Sequence, residues 1–203
     1  EIITNRQQRQ CNSPNPGPAV VTEAREKNRT LNMEEYRSGK VVLQSLPRYL
    51  LIELTQGCNL QCAMCRSERI GVPSSRIDNG LFRRVAADLF PTADMVDLRG
   101  WGESLLLPNI VEIIEFTRSF GCDIRFVTNL SFRREAVFSA LAEHHCHIAV
   151  SLDSAEANVL PNLRRGASLE RIRSSLKFLV REYRDYHGSS DRIAINCTVQ
   201  RPA

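Results

Sequence analysis

Five short apolar runs rich in β-branched residues punctuate this chain, and a stretch of helical spacing separates each run from the next. The runs lie at 49–55 (YLLIELT), 94–98 (DMVDL), 123–128 (DIRFVT), 147–152 (HIAVSL) and 192–199 (RIAINCTV). Between them, Leu81, Phe82, Val85, Ala86 and Leu89 recur on one helical face, and Ile110, Ile113 and Ile114 follow Pro108 and stop before Gly121. Val137 and Leu141 follow a cap at Ser131, and Ile172, Leu176, Leu179 and Tyr183 form a stripe behind a cap at Ser168. A helix between two strands is long enough to return the second strand parallel to the first. The pattern therefore predicts an α/β fold built on a parallel sheet.

The periodic region begins near residue 46. Before it, CNSPNPGPAV carries three prolines within five residues, which favours extended chain over helix, and NMEEYRSGK is consistent with one short helix. The expectation is an N-terminal leader over 1–45 and a core over 46–203. No helical stripe follows the fifth run, so the core is expected to be cut off after its fifth strand.

Glycines and polar residues gather just behind the runs, as GCNLQC, RGWGES, TNLS, SLDS and NCTVQ. In parallel α/β folds the chemistry lies beyond the carboxyl ends of the strands. Five such ends with distinctive residues mark one site.

Charge points away from nucleic acid as a partner. The 27 basic residues, all but three of them Arg, are interspersed with 23 acidic ones, giving a net charge of +4 without a clustered patch. No apolar run approaches the roughly 20 residues a membrane span requires, and the first residues lack a signal-peptide core. A cytoplasmic protein without a membrane partner is expected. Seven cysteines, an odd number, then read as ligands or catalytic groups rather than as a disulfide framework.

Three of them, Cys58, Cys62 and Cys65, stand in the spacing C-x3-C-x2-C directly behind the first run. Thiolates suit zinc or iron–sulfur centres, but a closed zinc site or a cubane wants four protein ligands. Three in one loop leave a metal position open. The competing reading is a zinc loop or ordinary buried thiols. A second cluster of metal-ligating types, HHCH at 144–147, is set aside because consecutive side chains diverge and cannot converge on one ion. Cys122 and Cys146 are expected at strand starts, Cys197 as a small buried thiol on the fifth strand, and Cys11 as a surface thiol in the leader.

C-x3-C-x2-C behind a first strand resembles the signature of the radical S-adenosylmethionine (radical SAM) superfamily. That resemblance implies a partial (β/α)6 TIM-like barrel, with Cys58, Cys62 and Cys65 holding a [4Fe–4S] cluster whose fourth iron binds SAM. It further implies a cytoplasmic oxidoreductase that receives electrons from a flavodoxin or ferredoxin and abstracts hydrogen through a 5′-deoxyadenosyl radical.

Other segments extend the likeness over about Arg48 to Val199. RGWGESLLLP is similar to the family's glycine-rich element, which implies Gly100, Gly102 and Glu103 beside the methionine end of SAM, the glycines allowing close backbone approach. VTNLS implies Thr128 and Asn129 as pocket residues, and VSLDSA implies Ser151 and Asp153, which read equally well as caps of the next segment. Arg164 or Arg165 would reach the SAM carboxylate, and Asn196 with Thr198 would sit at the fifth strand. Met64 stands where the family usually has an aromatic residue against the adenine, Ser104 where it has proline, and Leu130 where it has glycine. The expected substrate is a small molecule, sugar-like and from secondary metabolism. A peptide substrate, or a non-catalytic iron–sulfur or zinc protein, is the alternative.

Overall fold

A computed structural model of the chain describes residues 18–65 and 75–199, with side chains described from residue 23 onward. Seven strands and six helices are present among these residues: α1 (Pro18–Arg37), β1 (Tyr49–Leu51), β2 (Gln61–Cys62), α2 (Asn79–Leu89), β3 (Met95–Asp97), α3 (Ile110–Arg118), β4 (Asp123–Thr128), α4 (Glu135–Glu143), β5 (His147–Ser151), α5 (Leu160–Leu163), β6 (Arg164–Arg165), α6 (Leu169–His187) and β7 (Ile193–Asn196). Five strands form one parallel sheet in the order β1-β3-β4-β5-β7. This is the α/β arrangement predicted from the alternation, and it curves as part of a barrel.

Each main helix buries much of the face its spacing predicted, although Leu81 of α2 is 44% exposed and Val85, Leu89 and Leu176 are half-buried. Phe82 and Ala86 of α2, Ile110, Ile113 and Ile114 of α3, Val137 and Leu141 of α4, and Ile172, Leu179 and Tyr183 of α6 are all buried. They cover the sheet face made by Leu50, Val96, Ile124, Phe126, Ile148 and Val150. Asp78 caps α2 by accepting from the Leu81 amide at 2.8 Å, and Ser168 caps α6 through the Arg171 amide at 3.3 Å. Ser131 does not cap α4, whose first residue is preceded by Arg134. Its hydroxyl instead accepts from the Ser168 amide at 3.0 Å, tying the ends of two crossovers together.

The strand ends also differ from the sequence pattern. The first strand stops at Leu51 because the chain turns toward an isolated bridge between Thr55 and Arg76. The fifth stops at Asn196 because the Thr198 amide leaves the sheet for the Asp153 carboxylate at 2.9 Å. Cys197 is accordingly exposed rather than buried, while Cys122 and Cys146 are buried immediately before β4 and β5. His144 ends α4, and His145 adopts a positive φ of 50° and stacks on His187 at 3.9 Å. Cys11 lies outside the described residues.

Helix α1 is far longer than the short helix read from NMEEYRSGK, and it closes the amino-terminal end of the sheet. The Arg25 guanidinium donates to the carbonyls of Ala93 at 2.7 Å, Phe120 at 3.0 Å and Gly121 at 3.2 Å. Arg29 pairs with Asp94 at 2.8 Å, which Arg48 also holds. Together these contacts bind the helix to the turns that enter β3 and β4. No described helix is long and apolar enough to cross a membrane.

Candidate functional site

The loop that follows β1 holds the three cysteines. Cys58 and Cys65 are exposed and Cys62 half-buried, all as free thiols. They share one loop without being drawn to one point: among the described residues, no three His, Cys, Asp or Glu side chains are grouped as a metal site. Desolvation pushes the Cys58 thiol up, and pushes that of Cys62 up to about 11 despite the nearby Arg164 guanidinium. The Cys58 sulfur accepts from the Leu60 amide at 3.4 Å and from Asn129 Nδ2 at 3.7 Å.

Cys62 belongs to β2, which pairs antiparallel with β6 so that Cys62 faces Arg164 and Gln61 faces Arg165. The Ala63 amide adds a bond to the Leu163 carbonyl at 3.1 Å. Arg164 is in turn fixed by Asp153. Nη2 donates to Oδ1 at 3.0 Å, and Nε lies 2.7 Å from Oδ2, a charge contact in which neither side chain is much exposed. Asp153 is therefore no helix cap. It binds the cysteine loop to the end of β5 and, through the Thr198 amide, to the end of β7.

Gly100 and Gly102 stand behind β3, where the chain itself leaves no room for a side chain at either position. A Cβ on Gly102 would lie 2.3 Å from the Thr55 carbonyl oxygen and 2.6 Å from that of Gly57. One on Gly100 would lie 2.4 Å from Glu53 Cγ. The glycines let this loop press against the segment leading into the cysteines, Gly102 against its backbone and Gly100 against the Glu53 side chain. The Glu103 amide completes that contact by donating to the Gly57 carbonyl at 2.8 Å, and Glu53 accepts from the Trp101 amide at 2.6 Å.

Glu103 is buried, and its carboxyl group accepts from the Asn129 amide at 2.8 Å and the Leu105 amide at 3.4 Å, capping the 3-10 turn Ser104–Leu106. Thr128, also buried, lies against the same carboxyl. Desolvation outweighs these hydrogen bonds and raises the carboxyl to about 7. Asn129 is the link from here to the cysteines, because Nδ2 also donates to Asn59 Oδ1 at 2.9 Å. Leu130 occupies the family's glycine position with a φ of 51° and is fully buried. Its amide donates to Thr128 Oγ1 at 3.1 Å, so packing and a local hydrogen bond together hold a conformation that L-residues rarely adopt.

Glu103, Thr128 and Asn129 are thus joined to Cys58, while Asp153 and Arg164 are joined to Cys62. Ser151 is buried at the end of β5 opposite Asn196 of β7, which is exposed, and Met64 is half-buried beside Cys65. Sequence reading missed Glu53 and Asn59, which hold the glycine loop and Asn129. Asn59 occupies a variable position inside the cysteine motif and Glu53 lies within the first apolar run, so the only available signal was a polar residue at each place.

The donor set suits the cofactors implied by the resemblance. Three soft thiols come from one loop, and a sulfur that already accepts two N–H bonds has the surroundings of an iron–sulfur ligand. A buried carboxyl within the same network can meet an ammonium.

Comparison with known proteins agrees. The radical SAM superfamily's sequence profile matches residues 52–195. Among individual relatives, the tungsten-containing aldehyde ferredoxin oxidoreductase cofactor-modifying protein of Pyrococcus furiosus is 25% identical over 142 residues, 64% of this chain and 39% of that protein. The antilisterial bacteriocin subtilosin biosynthesis protein AlbA of Bacillus subtilis is 27% identical over 154 residues, 74% of this chain and 33% of its own. This chain therefore spans well under half the length of these relatives. Crystal structures of Streptococcus suis SuiB superpose over 88% of this chain at 17–18% identity. The complex with S-adenosylmethionine gives a TM-score of 0.64 over 39% of that chain, and the complex with the precursor peptide SuiA gives 0.61 over 38%. Because that profile covers well over half of the chain, from just behind β1 into β7, the chain belongs to the radical SAM superfamily.

Proposed function

We propose that this chain is the cofactor-binding core of a radical SAM enzyme that abstracts hydrogen from a small polar metabolite. The observation that carries the reading is the junction of Cys58 with Asn129 and the buried Glu103 carboxyl at the strand ends. When bound, the [4Fe–4S] cluster and SAM supply one-electron cleavage to a 5′-deoxyadenosyl radical. Cys58, Cys62 and Cys65 would hold the cluster and leave one iron for SAM. Glu103, poised near neutrality, can lose its proton to receive the ammonium of the methionine end, with Asn129 fixing its orientation. Ser151 and Asn196 would line the SAM pocket, Met64 would offer a soft contact for adenine, and the Asp153–Arg164 pair keeps the cysteine loop seated.

Electrons would come from a flavodoxin or ferredoxin. Free thiols that must stay reduced favour the cytoplasm. A sugar-like substrate in secondary metabolism is the reading we favour, with Asp97 and Arg125 on the uncovered face of the sheet as polar groups for it. A peptide substrate is the second reading, favoured by the likeness to SuiB in its complex with a precursor peptide.

The test uses anaerobically purified, cluster-reconstituted protein with SAM and dithionite, quantifying 5′-deoxyadenosine beside a Cys62→Ala control. Nucleoside from the wild type alone is the expected result. An intact cluster that yields none would remove the catalytic reading.

A further inference from the structure

Side chains alternate along a strand, so the residues between the helix-covered ones of β1, β3 and β4 project onto the other, concave face. In register, Leu51 lies beside Asp97 and Asp97 beside Arg125. This face is open: Tyr49 is 46% and Leu51 56% exposed, whereas Leu50 between them is buried.

One group on it is out of place. The Asp97 side chain is completely buried, yet carries a carboxylate at the end of β3, between β1 and β4. The Tyr49 hydroxyl donates to Oδ2 of that carboxylate. Nε of Arg99 lies 3.1 Å from the same oxygen and Nε of Arg125 3.8 Å from it. A buried carboxylate is costly unless paired, so it draws both guanidinium groups inward and fixes their orientation.

One negative charge cannot neutralise two positive ones. Among the described residues, Asp97 is the one carboxylate within ion-pair range of either arginine. Nε is the nearest atom of each to the carboxylate, Arg125 also bonds the Tyr49 hydroxyl, and the two arginine side chains remain 36% and 38% exposed. Two guanidinium groups held by a shared anchor, with surplus positive charge, five N–H donors each and partly exposed side chains, are suited to bind a carboxylate or phosphate. Arg99 also immediately precedes Gly100, so this pair lies directly below the loop that carries Glu103.

We propose that Arg99 and Arg125, aligned by Asp97, form an anion-binding subsite on the concave face that takes a carboxylate or phosphate group of the substrate. This inference rests on the proposed radical SAM function only for the word substrate; the anion site itself stands on its own geometry. Asp97 and Tyr49 are positioning residues for the two arginines.

Isothermal titration calorimetry of the cluster-loaded protein tests it, with inorganic phosphate and with acetate as separate probes and chloride as an ionic-strength control. Saturable one-site binding of at least one probe is expected, weakened at least tenfold in both Arg125→Gln and Arg99→Gln. Tighter phosphate than acetate assigns a phosphorylated substrate, and the reverse assigns a carboxylate, whether of a metabolite or of a peptide. Arg125→Lys, which keeps the charge and loses the fork, should recover only part of the affinity. Heats no larger than those of chloride, or equal binding by folded Arg125→Gln and Arg99→Gln, would overturn the proposal. Anion binding that persists while no 5′-deoxyadenosine forms would keep this site and remove the catalytic reading. Nucleoside formation with no anion binding would do the opposite.

Discussion

Glu103 shows how a single residue can do two jobs that oppose each other. Its carboxyl joins the β3 and β4 ends through backbone amides, but full burial raises it from an ordinary 4.5 to about 7. A carboxyl raised in the folded state contributes stability as the neutral acid. That contribution is complete below pH 4.5 and is lost as pH rises through 7. A shift of this size corresponds to about 3 kcal/mol. Denaturant unfolding of the cluster-free protein should therefore show wild type losing stability relative to Glu103→Gln between pH 5 and pH 8. A difference between the two that stays flat with pH would mean the carboxyl is not desolvated as described.

The elements around the cysteines are held less by their own regularity than by one ion pair. Strand β2 and strand β6 have two residues each, too few to persist alone, and Asp153 stabilises their junction by clasping Arg164. Removing one partner of a buried pair leaves the other charge without compensation, at a cost of roughly 3 kcal/mol. Asp153→Ala should lower stability by about that much. The double variant Asp153→Ala/Arg164→Met should lose clearly less than the sum of the two single losses, as read from a thermal or urea double-mutant cycle. Strict additivity would show that the pair is not coupled.

At the scale of the whole molecule, the parallel sheet has two ends with different tasks. Its carboxyl end carries the candidate site, and its amino end is closed by α1, whose Arg25 satisfies three carbonyls at the turns into β3 and β4. Hydrogen bonds from a charged donor are worth roughly 1.5–3 kcal/mol, so Arg25→Ala should shift the urea midpoint by an equivalent of about 2 kcal/mol. Arg25→Lys should recover less than half, because a point charge cannot reach three carbonyls in a fork. Full recovery by Lys would reduce the role of Arg25 to charge alone.

The alternation of the five sheet strands with helices, the helix faces and the cap at Ser168 are local matters, set by spacing and by side chains a few residues apart, and could be read from the chain before folding; the length of α1, the short strands β2 and β6 and the true role of Ser131 could not. The cysteine spacing and the residues behind each strand were legible for the same reason, since each lies in one short segment. What required the tertiary structure was every pairing of segments far apart in sequence. Asp153 meeting Arg164 beside Cys62, Glu103 accepting from Asn129, and Gly102 pressed on the Thr55 and Gly57 carbonyls depend on which loops become neighbours. The polar residues Asp97 and Arg125 inside otherwise apolar runs were visible in the sequence. Their meaning was not, because only strand register brings Tyr49, Asp97, Arg99 and Arg125 around one buried charge. Periodicity fixes which face of an element is buried, but the contacts across elements are set by closure of the chain over long separations, which no local pattern encodes.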